Sequence, residues 1–328
     1  MKRVAALLVL DRNRPVPPIT SLPMGRAAVA LLDEGIEVIL ADRASSGRVS
    51  GFVATPTAWR PIEDVEICGV YDRFPMPRFP KRHSQLVRAL QGIPLGNPVS
   101  IRNLSADKLA SQRHLEARGV VMPEVMEVNS DVQSVQKDWG VAFAKPQFGA
   151  VGAGVERVVH GDDVASTRPG ALGVHEPTLL QRAVLPPDGW AGIATRTVVQ
   201  RDADGNWVAG PPVARRSRHD AVVNVSRGAT ADPAEDVLPS QTVRALQDAA
   251  IRCAQALADH PDGVDLLELG VDAMIDPDLN PWVIEVNTRP WGRLSALYAH
   301  DPERWRQAHT DLCARPFRYL AGRRTHIR

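Results

Sequence analysis

The sequence predicts an α/β protein with more than one structural unit, and three observations support this. The chain has 328 residues, 44% of them hydrophobic and 23% charged, which is enough for two or three compact units with buried cores. Its N-terminal part alternates short apolar runs with an amphipathic segment, as parallel strand–helix–strand units do. Its C-terminal part combines a long amphipathic helix with two apolar strands on either side of a polar turn.

The N-terminal unit is predicted to be a small parallel α/β unit. Its elements are a strand at Val4–Leu10, a helix at Gly25–Asp33, and strands at Ile36–Leu40 and Val65–Val70. No G-x-G-x-x-G sequence follows the first strand. The fingerprint of a dinucleotide-binding dehydrogenase is therefore missing.

The rest of the chain is predicted to contain mainly antiparallel strands and two helices. One helix is expected to begin at an N-cap, Ser105, and to end at Arg118, and the other covers Thr242–Ala258. Strands are predicted at Val141–Lys145, Val155–Val159, Leu179–Val184, Arg196–Gln200, Trp207–Ala214, Leu269–Ile275 and Trp282–Val286.

A glycine-rich loop lies between the strands at Val141–Lys145 and Val155–Val159. Gly149, Gly152 and Gly154 alternate there with small residues, so backbone N–H groups can approach phosphate oxygens closely. Lys145, one of only five lysines in the chain, can add positive charge to the same phosphates. The alternative is an ordinary hairpin tip, and no Gly-Lys-Ser/Thr of a Walker loop is present.

Two carboxylates are predicted to face each other near the end of the chain. Asp272 and Glu285 lie on adjacent strands joined by a short connection, and Asn287 shares the face of Glu285. The neighbouring residues are apolar, and an unpaired buried charge is strongly unfavourable. We therefore predict a divalent cation between these oxygen ligands, rather than a solvated polar face.

The two motifs, in this order and at this separation, resemble those of the ATP-grasp superfamily. The resemblance covers roughly residues 97–298. Within the superfamily, the chain is most similar to the glutamate-ligase-like branch and to spore-coat-associated ATP-grasp proteins. It implies an ATP-grasp fold preceded by a parallel α/β pre-ATP-grasp domain. The implied division is residues 1–102 for that domain, 103–178 for a small lobe with the glycine loop, and 179–328 for a C-terminal lobe with the metal site.

The resemblance also implies roles for individual residues. Phosphate contacts would come from Lys108, Lys145, Gly149, Gly152 and Gly154. Adenine would be held at Gln181, Arg182, Ala183 and Val184, and the metal by Asp272, Glu285 and Asn287. The transferred phosphate or acyl group would be contacted by Arg196, Arg215, Arg216 and Asn224. Thr195, where the family usually has an acid, and Ala229, where a glycine is common, depart from the pattern.

The implied activity is that of an ADP-forming ligase that uses ATP and Mg²⁺, or Mn²⁺ in its place. It would activate a carboxylate as an acyl phosphate and join it to an amine. The alternative is an ATP-binding structural or regulatory protein that has lost catalysis. The substrate stays open between an amino acid, a peptide and a protein. Tyr71, Asp72, Arg73 and Arg289 are candidates for binding an acidic group, or else form structural ion pairs.

Composition excludes several other classes. The net charge is +1, which gives no field that favours nucleic acid or an anionic membrane. No apolar stretch approaches the length of a membrane span and no signal peptide is evident. The three cysteines lack metal-ligand spacing and suit a reducing cytoplasm. A homodimer is compatible with the sequence.

Overall fold

The computed structural model describes residues 1–10, 16, 18–21, 23–75, 78–128, 137–149, 154–159, 178–223, 229–261, 263–290 and 294–323. Within these ranges the chain forms three sheets flanked by helices. No helix in the described ranges is long and apolar enough to cross a membrane.

The first sheet is built from the N-terminal part of the chain. Its strands are β1 (Lys2–Leu7), β2 (Ile36–Ser45), β3 (Arg48–Ala54), β4 (Trp59–Glu66), β5 (Gly69–Asp72) and β6 (Leu95–Gly96), with helices α1 (Pro23–Leu32) and α2 (Pro80–Ala89). Their order is β4-β3-β2-β1-β5-β6. β1 runs parallel to β2 and β5, which confirms the predicted parallel unit, and β3 and β4 extend it as an antiparallel hairpin.

The predicted strand at Val65–Val70 is wrong, because this segment belongs to two strands. Val65 pairs with Val49 on the outer hairpin, whereas Val70 pairs with Ala5 in the core. Between them the Cys68 N–H donates to the Arg3 carbonyl and the chain changes direction. Both halves are apolar, so hydrophobicity alone does not separate them.

The second sheet follows two short helices. These are α3 (Val99–Ala106) and α4 (Lys108–Glu116), and the strands are β7 (Val125–Glu127), β8 (Val141–Pro146), β9 (Glu156–Val159) and β10 (Thr178–Arg182). The order is β7-β10-β8-β9, and β8 and β9 form the predicted antiparallel hairpin.

The predicted N-cap at Ser105 is wrong, because a first helix, α3, continues through that position. Asp107 caps the second helix instead, and its Oδ1 accepts from the N–H groups of Leu109 and Ala110 at 3.1 and 3.0 Å. A carboxylate is the better partner for the positive end of a helix. The proposed boundary at residue 102 lies inside α3, and the division into three units stays a prediction.

The third sheet carries the C-terminal part of the chain. Its strands are β11 (Gly192–Arg201), β12 (Trp207–Ala209), β13 (Val213–Ser217), β14 (Thr230–Pro233), β15 (Glu268–Ile275) and β16 (Pro281–Asn287), and the helices are α5 (Ala234–Val237), α6 (Ser240–Ala258), α7 (Leu294–His300) and α8 (Pro302–Gly322). The order is β14-β13-β11-β15-β16, with β12 paired to β11. The predicted strand at Trp207–Ala214 is two strands, β12 and β13, because Gly210, Pro211 and Pro212 separate them.

One face of the third sheet packs against α6. Leu269, Val271 and Val286 are buried with Ala250 and Leu257 of that helix in one core cluster. Because side chains alternate along a strand, residues 268, 270, 272 and 274 of β15 point to the opposite face. The acidic residues of β15 therefore lie together on the face away from α6.

The C-terminal helix α8 packs against the first sheet rather than the third alone. Phe317 and Leu320 are buried in one cluster with Val4, Val38 and Leu40. The first and last parts of the chain thus share a hydrophobic core.

Candidate active site

Asp272 and Glu285 stand directly opposite each other on β15 and β16, as the sequence predicted. The register shifts between Asp272 and Ala273, so a β-bulge lies beside the pair. Asn287 is opposite Gly270, and its Oδ1 accepts from the Arg289 N–H at 2.8 Å. This turn fixes the direction in which the backbone leaves β16.

Two arginines bind the carboxylate of Asp272. Arg196 lies opposite it on β11; its Nε donates to Oδ1 at 2.8 Å and its Nη2 contacts Oδ2. The Nη2 of Arg215 donates to Oδ1 at 3.1 Å. Both oxygens of Asp272 are therefore charge-compensated within the chain.

Of the two adjacent arginines on β13, only Arg215 lies on the site face. Arg216 is on the opposite face, where its Nε and Nη2 donate to Asp232 at 3.1 and 2.9 Å. Its guanidinium also lies 4.8 Å from the ring centroid of Trp190. This placement follows from strand alternation, and it leaves Arg215 as the one of the pair that can meet a ligand beside Asp272.

Glu285 differs from Asp272 in having no hydrogen bond or ion pair with any residue in the described part of the chain. Burial raises the pKa of its carboxyl, and the charge of Asp272 adds to this rise. Lys145, Lys108 and Arg196 act in the opposite direction. Such a carboxylate favours an additional cation beside it.

Lys145 is buried on β8, close enough to Glu285 for the two charges to influence each other. It is 5% exposed, and its Nζ donates to Gln181 Oε1 at 2.9 Å. Burial lowers the pKa of Lys145 to about 8, while the Glu285 charge opposes this and Lys108 reinforces it. The negative charge around the Lys145 ammonium is therefore too small to offset its burial.

Lys108 ties the start of α4 to the end of β8. Its Nζ donates to the carbonyls of Pro146 and Gly149 at 3.1 and 3.0 Å, and its backbone N–H donates to Gln147 O at 3.1 Å. The structure thus brings both lysines into the electrostatic surroundings of Glu285.

Gln112 belongs to this site, although no motif in the sequence marks it. Its Oε1 accepts from Gln181 Nε2 at 3.2 Å, and its own Nε2 donates to Pro123 O at 2.6 Å. It is 1% exposed. A buried chain of amides therefore orients Gln181, which in turn holds Lys145. A lone glutamine on a helix carries no motif signal, so only the fold reveals it.

The segment predicted to hold adenine follows β10. The N–H groups of Arg182 and Ala183 donate to Glu124 O and Val141 O at 2.9 and 3.1 Å, so neither is open to a base. Val184 is the next residue, and no residue in the described ranges accepts from its N–H.

Part of the predicted glycine loop lies within the described residues. Gly149 has φ 123° and Gly154 has φ 69°, conformations that favour glycine. Gly152 and Asn224 lie outside the described residues. Thr195 points away from Arg196, and its Oγ1 donates to Ala273 O at 3.3 Å beneath the sheet. Ala229 is buried in a small cluster with Ala194 and Val223.

The donor set fits a magnesium ion that shares its coordination with phosphate oxygens. Within the described ranges no group of three or more His, Cys, Asp or Glu residues is placed to hold a metal by itself. Two carboxylates and one amide oxygen are instead what Mg²⁺ uses when substrate phosphates complete its shell. Glu285, which has no ion pair among the described residues, meets this requirement better than Asp272, which two arginines already contact.

Part of the chain matches a known family model. A sequence model described as YheC/D like ATP-grasp matches residues 192–320, which include β11, β15 and β16. No curated protein matches the chain.

Solved structures resemble the whole chain at low sequence identity. The VanG D-Ala:D-Ser ligase from Enterococcus faecalis has a TM-score of 0.58 at 12% identity, covering 98% of each chain. The D-alanine–D-alanine ligase from Bacillus anthracis complexed with ATP has 0.58 at 15%, covering 98% of this chain and 99% of the other. The D-cycloserine synthetase DcsG has 0.57 at 18%, covering 94% and 99%.

These likenesses extend over all three sheets, and the sequence match lies on the sheet that carries Asp272 and Glu285. The closer resemblance to spore-coat-associated and glutamate-ligase-like proteins stays a prediction. The chain has the fold of these ATP-grasp ligases, and residues 192–320 match the YheC/D like ATP-grasp family model.

Proposed function

We propose that the protein is an ADP-forming ligase that uses Mg-ATP to activate a carboxylate and join it to an amine. One observation carries the proposal. The carboxylate of Glu285 is without an ion pair among the described residues, faces Asp272 across two strands, and lies within the electrostatic reach of Lys145 and Lys108. Acids and lysines in this arrangement suit a metal-bound triphosphate.

ATP would lie between the second and third sheets in this proposal. Lys145 and Lys108 would bind its phosphates, and Val184 N–H with the Arg182 carbonyl would bind the adenine edge. Asp272, Glu285 and Asn287 would hold Mg²⁺, which supplies positive charge to the phosphate oxygens when bound. We also propose that Gly149, Gly152 and Gly154 allow the β8–β9 connection to approach those phosphates.

The chemistry would take place in two steps. A carboxylate oxygen of the substrate attacks the γ-phosphorus, and the bond from that phosphorus to the oxygen of ADP breaks. An amine then attacks the acyl carbon, loses a proton and displaces inorganic phosphate. Arg196 and Arg215 are placed beside Asp272 to stabilise charge on the transferring group. Asn224 is retained as a proposed contact of that group, and Arg216 is not.

A second function is supported by one specific observation. Both oxygens of Asp272 already accept hydrogen bonds from arginines, a state in which the acid needs no metal. A protein that binds ATP for a structural or regulatory purpose would be compatible with this pairing. The ligase proposal requires that nucleotide phosphates attract the arginines and free part of the carboxylate.

Steady-state ADP release distinguishes the two functions. The protein is incubated with Mg-ATP and pools of carboxylates and amines, and ADP is measured with and without each pool. The ligase proposal expects ADP release that requires a carboxylate and an amine together, with a new amide detected by mass spectrometry. ATP binding with no substrate-dependent ADP release would instead support the binding protein.

A further inference from the structure

Arg289 lies where the first sheet meets the end of β16. Its N–H donates to Asn287 Oδ1, so its backbone position is tied to the proposed metal site. The residues on either side are held by the N-terminal unit. Asn97 Nδ2 donates to the Thr288 carbonyl, and Arg73 Nη2 donates to the Pro290 carbonyl at 3.1 Å. The segment is therefore positioned from two directions.

The first acid near Arg289 already has its partners. Asp72, at the carboxyl end of β5, lies 2.7 Å from His83 Nε2 and accepts from Arg102 Nη1 at 2.8 Å. Its other oxygen accepts from the Phe74 N–H at 3.0 Å. The Nε of Arg102 is buried without a hydrogen-bond partner in the described ranges. Both carboxylate oxygens of Asp72 thus already accept hydrogen bonds, whereas Arg102 still has a donor without an acceptor in the described ranges.

The second acid is also satisfied. Glu268 accepts from Arg73 Nη1 at 3.0 Å and from the Tyr71 hydroxyl at 2.9 Å, and its other oxygen accepts from Gln200 Nε2 at 3.1 Å. It is 2% exposed. Tyr71 and Arg73 thus form a structural network, which is one of the two alternatives that the sequence left open for them.

Arg289 is the remaining charge. Its half-buried guanidinium makes no hydrogen bond or ion pair with any residue of the described ranges. Glu268 is paired with Arg73 and Asp72 with Arg102, so within the described ranges neither carboxylate is left to compensate the charge of Arg289.

We propose that Arg289 binds a second anionic group of the substrate, one that is not the carboxylate being activated. The proposal rests on the proposed function, and it names the substrate class as a carboxylate that carries a further carboxylate or phosphate. A guanidinium binds either anion through two parallel hydrogen bonds. Asn287 is two residues away, so the anion would be held beside the reacting group and not at the nucleotide base.

The test measures anion binding with the full chain and needs no turnover. Saturating Mg and a non-hydrolysable ATP analogue are added first, so that the proposed phosphate-binding lysines are occupied. Succinate and inorganic phosphate are then titrated in separate arms by calorimetry, and succinamate, which carries one charge fewer than succinate, serves as the matched probe. The proteins are the wild type, Arg289→Met, Arg289→Lys, and Arg306→Met, which removes an exposed arginine from α8.

The expected result is that succinate or phosphate binds the wild type at least about tenfold more tightly than it binds Arg289→Met. Arg289→Lys should recover part of this difference because it keeps the charge but not the fork. Arg306→Met should bind like the wild type. The arm that responds identifies carboxylate or phosphate. A response to succinate should also exceed that to succinamate.

Equal binding by wild type and Arg289→Met, or no binding of either anion, would overturn the inference. Analogue binding is recorded in the same titrations. If the analogue binds but the anion arms do not depend on Arg289, the inference fails and the proposed function stands. If the analogue does not bind, the proposed function fails, and the anion arms still compare wild type with Arg289→Met.

Discussion

Glu285 and Asp272 are paired acids with different surroundings, and this difference separates their roles. Asp272 is neutralised by Arg196 and Arg215, whereas no described residue forms an ion pair with Glu285. Removing Glu285 therefore takes away a proposed metal ligand without leaving an arginine unpaired. Removing Asp272 would leave two buried guanidiniums uncompensated and is expected to damage the fold as well.

We predict that Glu285→Ala abolishes ADP release while the protein stays folded. The loss of one group that stabilises charge in a transition state typically lowers the rate by about 10²–10³. Turnover would be measured alongside far-UV circular dichroism and the melting temperature. Glu235→Ala, on the short helix α5, is the matched control for removing an acid elsewhere. Wild-type turnover by Glu285→Ala would refute the metal assignment.

We predict that the buried charge of Lys145 lowers the stability of the folded protein, although the same charge serves to bind the nucleotide. Its pKa of about 8 in the folded chain is below the value of about 10.4 for a free lysine. The folded state therefore binds fewer protons than the unfolded state between these values, and stability rises with pH through this window. Below about pH 8 the lysine is protonated in both states, so the whole cost of burying its charge is subtracted from the free energy of unfolding.

Lys145→Met should accordingly raise the free energy of unfolding at pH 7, by roughly 1–3 kcal/mol, and greatly weaken ATP binding. Urea denaturation and calorimetry with ATP measure the two effects. Lys137→Met removes an exposed lysine and should change neither. A destabilised Lys145→Met variant would contradict the predicted cost of burying this charge, and unaltered ATP affinity would count against the assignment of Lys145 to the phosphates.

For single residues, the sequence predicts contacts between strands that follow each other along the chain. It misses contacts between strands that are far apart in sequence. Asp272 and Glu285 are opposite because a short turn joins their strands, so their register follows from the chain itself. The arginines that bind Asp272 come from β11 and β13, and their register depends on the whole sheet. Strand alternation indicates that only one of Arg215 and Arg216 can face the site, but the phase becomes known only from the fold.

Asn97 joins three elements at the scale of secondary structure. Its Oδ1 accepts from Leu267 N–H at 2.7 Å, and its Nδ2 donates to Glu268 O at 2.9 Å and to the Thr288 carbonyl. It is 4% exposed and has φ 61°, a conformation that asparagine tolerates better than most residues. One side chain thus connects the end of β6 to β15 and to the segment after β16.

We predict that Asn97→Ala lowers the free energy of unfolding by about 2–4 kcal/mol, because it leaves buried backbone groups unpaired and strains a left-handed residue. Asn97→Gly keeps the backbone conformation and removes only the hydrogen bonds, so it should be less destabilising than Asn97→Ala. Chemical denaturation measures both. Equal stability of the two variants would show that the backbone conformation contributes nothing.

The element boundaries that the sequence missed have different causes. The split at Cys68 depends on a distant partner, the carbonyl of Arg3. The cap at Asp107 is local, because its carboxylate accepts from Leu109 and Ala110, but Ser105 two residues earlier is an equally good capping residue type. The long helix α6 and the β15–β16 hairpin, whose signals are local and periodic, agree with the prediction to within about two residues.

The whole molecule is joined by α8, whose buried side chains lie against the first sheet. Phe317 is fully buried beside Val4 and Val38, and the Tyr71 ring contacts it edge-on at 5.6 Å between centroids. The same helix places Leu312 in a cluster with Val198 of the third sheet. The N-terminal and C-terminal units are therefore expected to unfold together.

We predict that Phe317→Ala lowers the free energy of unfolding by about 3–5 kcal/mol and that the transition remains a single one. Tryptophan fluorescence and circular dichroism in urea should give coincident curves, because both sheets lose the shared core at once. Phe148→Ala, which removes a phenylalanine that is 41% exposed, is the control. Two separated transitions in the wild type would contradict the coupling.

The position of α8 also constrains how the protein is made. The strands that it covers are synthesised first, and the helix begins at residue 302, so well over two hundred residues emerge from the ribosome before it can dock. During translation the apolar side chains of Val4, Val38 and Leu40 therefore lack their contacts with α8 until that helix has been synthesised. A chaperone that shields this face on the nascent chain would have its greatest effect in that interval.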